Sequence, residues 1–104
     1  MGYIKHHAIA VSSWDGEKLA KIHQQALEIF GKLVTPILPG VINFYQSFFI
    51  GPEGWDYSEL GDKKRECFAK LVEKYAYEDG GNSIRFCEFF YSDDNKKAGI
   101  VRHN

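Results

Sequence analysis

From Val41 to Ile50 the chain alternates between two chemically different sets of side chains. Ile42, Phe44, Phe48 and Ile50 share one set; Asn43, Tyr45, Ser47 and Phe49 share the other. Successive side chains on a strand point to opposite faces, so this run predicts a strand with one face in a core and the other prepared for contact. Such a strand needs a sheet around it and a layer over its apolar face only. That requirement shapes the reading of every other segment.

Residues 3 to 12 read as a strand whose apolar end is buried on both faces, as in a central strand. Ser12, Ser13 and Asp15 then offer cap chemistry, and Leu19, Ile22, Ala26, Leu27, Ile29 and Phe30 form a helical stripe that Gly31 closes. Leu33 to Leu38 reads as a short edge strand, because Pro36 has no N–H to give to a ladder. A second helix is expected around Leu60 to Tyr75, with Phe68, Leu71, Val72 and Tyr75 inward and Gly61 weakening its first turn. Ser83 to Tyr91 is a strand apolar on both faces. Ser92 to Lys97 is a polar turn, and Ala98 to Arg102 a terminal hairpin strand.

The expected architecture is a single α+β domain over residues 1–104 in the ferredoxin-like order β-α-β-β-α-β, with an extra C-terminal strand. Two helices would cover one face of the antiparallel sheet. If the segment at 33 to 38 is only a loop, the order becomes β-α-β-α-β-β.

Composition narrows the function classes. Net charge is −1, which excludes the global positive field that binding of long nucleic acid requires. No apolar run is long enough for a signal or a membrane span, so a cytoplasmic location is expected. The two cysteines, Cys67 and Cys87, read as reduced, buried thiols, because their spacing fits neither a disulfide framework nor a zinc site. No cofactor or metal is expected. Eight Phe, six Tyr and two Trp are more large rings than a core of this size hides, so some must face outward.

Those outward rings give the main functional signal. Tyr45, Phe49 and Tyr91 are candidates for stacking a planar ligand, with Asn43 beside them and Arg85 and Arg102 to meet its negative charge. Neighbours on a strand face opposite ways, so His6 and His7 cannot both join one site. His6 shares its face with the small Ala8 and Ala10, which leave room for a ligand. His103 is positioned to meet the first strand if the terminal strand pairs nearby, whereas His23, among glutamines, reads as a solvated helix residue. Glu88 stands among Phe86, Cys87, Phe89 and Phe90, where an unpaired carboxylate is costly; its expected partner is His6, His7 or Arg102.

Tyr3-Ile4-Lys5-His6-His7-Ala8-Ile9, Tyr77-Glu78-Asp79-Gly80 and Val101-Arg102-His103 together resemble a family of small bacteriophage accessory proteins. The resemblance implies an antagonist of host defence in the host cytoplasm, sequestering a nucleotide-derived signal or binding a defence protein. Three function classes follow from residues and resemblance together. The first is a non-enzymatic binder of a nucleotide-type small molecule, assembled as a homodimer through its exposed rings. The second is a phosphoesterase using His6 or His7 with His103 as acid and base. The third is an inhibitor of a host macromolecule acting through the acidic loop Glu53 to Asp62 with Trp55 and Tyr57.

Overall fold

A computed structural model describes residues 5–41, 44–52, 59–92 and 97–104. Its elements are β1 (Lys5–Ser13), α1 (Gly16–Phe30), β2 (Gln46–Ile50), α2 (Glu59–Glu73), β3 (Ile84–Ser92) and β4 (Ala98–His103). The strands form one antiparallel sheet in the order β2-β1-β3-β4.

Each helix follows from local chemistry. The Asp15 side chain accepts from the Lys18 N–H at 3.2 Å and caps α1, and Gly31 ends it at φ +61°, a conformation that favours glycine. Leu19, Ile22 and Ala26 of α1 are fully buried, as are Phe68 and Val72 of α2. They meet Ile9 and Val11 of β1, Phe48 and Ile50 of β2, and Ile84 and Phe86 of β3 in one core. The helices therefore cover one face of the sheet.

The order is β-α-β-α-β-β, which corrects the ferredoxin-like expectation. Pro36 is the physical reason. Gly31–Leu33 forms a single 3-10 turn, and the following chain touches β2 only through isolated bridges, Val34 to Ile50 and Leu38 to Ser47. Between them Thr35 N donates to Phe49 O at 2.9 Å, while Thr35 Oγ1 accepts from Phe49 N at 2.9 Å. A side chain thus supplies part of what a ladder would, and the segment seals the outer edge of β2 without becoming a strand.

β2 is also shorter than the alternation implied. Phe44 lies at φ +56° and 88% exposed, so the chain turns there, and the inward set reduces to Phe48 and Ile50. Ile42 and Asn43 fall outside the described residues. The cysteines differ from expectation as well: Cys67 is exposed, and Cys87 is half-buried on the uncovered face. Cys67 falls just before Phe68, off the inward stripe of α2. His23 is not solvated: its Nε2 lies 2.8 Å from Thr35 O and its ring meets Phe48 edge-on at 4.9 Å, which pins the Pro36 segment to α1.

Candidate functional site

Strand register sorts the candidate residues onto two faces. On β1 and β3 the pairs His7 with Phe90, Ile9 with Glu88 and Val11 with Phe86 look toward the helices. His6 with Tyr91, Ala8 with Phe89, Ala10 with Cys87 and Ser12 with Arg85 look away. A bulge between Glu88 and Phe89 shifts β4, so Arg102 joins Glu88 on the helix side while His103 joins Cys87 on the uncovered side. The nine candidates therefore do not form one site. His7, Glu88 and Arg102 are beneath the helices; His6, Arg85, Tyr91 and His103 are on the open face. Tyr45 precedes β2 at the far end of the sheet from Tyr91, so these two rings do not stack one ligand. Asn43 lies outside the described residues.

Beneath the helices, Glu88 is fully buried and surrounded by cationic groups. Arg102 Nη1 donates to its Oε1 at 2.6 Å; Arg65 Nε and His7 Nδ1 stand 3.3 and 3.5 Å from its Oε2. Arg102 Nη2 donates in turn to Asp62 at 2.7 Å. Two carboxylates, two guanidiniums and the His7 ring thus tie α2 to β3 and β4 as well as to β1. The expected partners His7 and Arg102 are present, and His6 is excluded by facing away. Arg65 was missed by sequence reasoning, although a signal existed. It precedes Phe68 by three positions and Val72 by seven, on the buried stripe of α2, and a cation there calls for a buried anion.

The cluster fixes charge strongly. The hydrogen bond from Arg102 holds the Asp62 carboxyl below its ordinary 3.8 against partial desolvation, and the nearby charges of Arg102, Arg65 and His7 act the same way. Desolvation works against the Arg102 cation, yet its hydrogen bond to Asp62 and the attraction of Glu88 raise its pKa overall. A depressed carboxylate contributes stability above its unfolded pKa and loses it as pH falls through the folded value. Asp62→Asn should therefore be less stable than the parent at neutral pH. The gap should close as pH drops below 3.8; urea denaturation at stepped pH measures it, and a pH-independent gap would refute the assignment.

The cavity beside this cluster is lined by His7, Arg65, Ile9, Ile50, Gly51 and Gly61 and holds about 10 Å³ of free space. That is the room of about one water, so no ligand of nucleotide size enters it. The helix side holds α2 in place.

The open face is graded from aromatic to polar. His6 and Tyr91 rings are 5.0 Å apart at one end. Next, the Phe49 and Phe89 rings lie 6.3 Å apart, and Ala8, opposite Phe89, is only 1% exposed. The space that small side chains leave above β1 is filled there by protein and opens again only at Ala10. From Ala10 a groove of about 350 Å³ runs past Cys87 and Ile100 to Ser12, Arg85 and His103. Arg85 is held in place by Asn104: its Nη2 donates to the Asn104 backbone O at 2.8 Å and its Nε to Oδ1 at 3.3 Å.

Glu88 is the sole acidic residue of the four strands and faces the other way, so the described open face presents Arg85, His6 and His103 with no carboxylate side chain beside them. His6 and His103 stand opposite Tyr91 and Cys87, four residues and about 13 Å apart along β3. His7 is on the other face. No two of these three histidines converge on one phosphoester. The loop 53–58, with Trp55 and Tyr57, is outside the described residues.

Among the described residues no helix is long and apolar enough to cross a membrane, and no group of three or more His, Cys, Asp or Glu is placed to hold a metal ion. Comparison with family models, curated proteins and solved structures finds no match.

Proposed function

We propose that the protein binds, without turning it over, a small planar anion of nucleotide type on the uncovered face of its sheet. One observation carries the reading: exposed rings and the anchored Arg85 occupy opposite ends of one face on which the described strands place no acidic side chain, with an open 350 Å³ groove between Ala10 and His103. Phe89 and Phe49 offer π-faces to a base, and Arg85 and His103 meet phosphate oxygens. Phe89 and Arg85 are four residues apart, about 13 Å along the strand, which suits a dinucleotide or cyclic dinucleotide better than a mononucleotide. The resemblance to small bacteriophage proteins supplies a setting, sequestration of a nucleotide-derived signal of host defence.

A thermal-shift panel of mono-, di- and cyclic nucleotides tests this. A ligand at about 100 times its Kd adds about 2.7 kcal/mol, a rise on the order of 10 °C for a domain of this size. Arg85→Ala should abolish the shift, and mass spectrometry should recover the ligand unchanged. Absence of stabilisation by every nucleotide at millimolar concentration would defeat the reading. A dimer mass by light scattering, insensitive to nucleotides, would instead assign the rings to a second copy.

A further inference from the structure

We propose that Cys87 is a reversible thiol-exchange site that captures anionic low-molecular-weight disulfides, with His103 accepting the thiol proton. This uses the groove of the open face and does not depend on what else binds there.

The register makes the juxtaposition. Asn104 N–H donates to Phe86 O at 3.3 Å, so the next pair along, Cys87 with His103, is of the non-hydrogen-bonded kind. In such pairs the side chains stand close, with Cβ atoms about 4.5–5.5 Å apart. On its other side Cys87 is opposite Ala10, whose methyl leaves the thiol open to the groove. His103 Nδ1 lies 3.4 Å from Asn104 O; a proton shared there leaves Nε2 as the basic nitrogen. Arg85, two residues from Cys87 on the same face, is anchored on Asn104 and offers its charge to a carboxylate. The described polar groups lining the groove around the thiol are thus the His103 ring, Arg85 with its anchor Asn104, and the Ser12 hydroxyl, and the setting is partly open.

The step balances without a further oxidant. The Cys87 proton passes to His103; the thiolate attacks one sulfur of a disulfide R–S–S–R, a Cys87–S–S–R bond forms, and R–S⁻ leaves to take up a proton. A second thiol reverses it. The mixed disulfide would fill the groove and close it to other ligands. Cys67 makes a natural contrast, because it is exposed on α2 among Lys63, Lys70 and Lys74, with no histidine on its helix.

Single-cysteine variants Cys67→Ser and Cys87→Ser, treated with oxidised glutathione and read by mass spectrometry, separate the two thiols. The Cys67→Ser protein should gain one adduct on Cys87, removable by dithiothreitol. Its rate should depend on the His103 imidazole as the proton acceptor. Adding His103→Gln should slow it at least tenfold at pH 7 and change the pH profile of the rate. Adding Arg85→Gln should slow reaction with oxidised glutathione but not with cystamine, a cationic disulfide. Each variant's thermal melt confirms its fold. No adduct on Cys87, or a rate indifferent to both substitutions in folded protein, would overturn the proposal. Neither result bears on nucleotide binding, which is measured separately.

Discussion

Glu88→Ala is expected to remove about 3–5 kcal/mol of stability, the cost of breaking a buried ion pair by deleting one partner. Glu88 is 0% exposed, and the Arg65 side chain beside it 8%. Deletion takes the Glu88 carboxylate from the buried Arg65 beneath α2, and takes from Arg102 one of the two carboxylates it bonds. Domains of this size have about 5–15 kcal/mol in total, so the melting temperature should fall by about 15–30 °C. Glu88→Gln keeps the shape and loses the charge, and should fall between the two. Replacing Glu88 and Arg65 together by apolar residues of similar volume should recover much of the loss, since a buried pair is weak evidence of net stabilisation. Urea denaturation at pH 7 measures all of these. A loss under about 1 kcal/mol for Glu88→Ala would mean that the cluster is not the clamp described.

Phe68→Ala should cost about as much, 3–5 kcal/mol, by a different route. Phe68 is fully buried and meets Phe30 edge-on at 6.0 Å and Phe86 at 6.4 Å, so its ring joins α1, α2 and β3. Truncation leaves a cavity between three elements that cannot all close upon it. Denaturation should show a lower midpoint with an unchanged slope, because the surface exposed on unfolding barely alters. A slope that falls with the midpoint would instead indicate a loosened native state.

The helices and strands were legible because periodicity records which side of an element is buried. The α1 stripe and caps and the inward Phe48 and Ile50 follow from it; β1 and β3, read as buried on both faces, are covered by the helices on one face only, because their apolar residues on the other side line the open face. Periodicity does not record register. That His103 meets Cys87 while Arg102 meets Glu88 depends on a bulge of one residue, which no pattern in Ala98 to Arg102 announces. The Pro36 segment was legible as an edge strand or, in the alternative that the structure shows, a loop; the sequence did not decide between them because the Thr35 hydroxyl and His23 replace ladder bonds from a distance. Glu88 was visible as an anomaly, as was Arg65 on its helical stripe. Pairing the two required knowing that α2 lies over β3, which is tertiary information. The expectation of room for a ligand above Ala8 failed for a similar reason: Ala8 is 1% exposed on a face where the Phe49 and Phe89 rings, from the strands on either side of β1, come within 6.3 Å of each other.

The strand order also bears on how the chain reaches its native state. β1 is made first and sits in the centre, between β2 and β3, with Ile9 opposite both Ile50 and Glu88. On emerging from a ribosome it has no neighbour to pair with on one side until β2 follows. On the other it waits until α1, β2 and α2 have been synthesised and β3 follows them. Contacts of such wide sequence separation require closing large loops before any energy is returned, which places folding toward the slow, millisecond-to-second end of the range for small domains. Until β2 pairs, the apolar β1 has two open edges, and until β3 arrives it has one. The nascent protein is therefore at its most vulnerable to misassociation in the interval before β3 arrives.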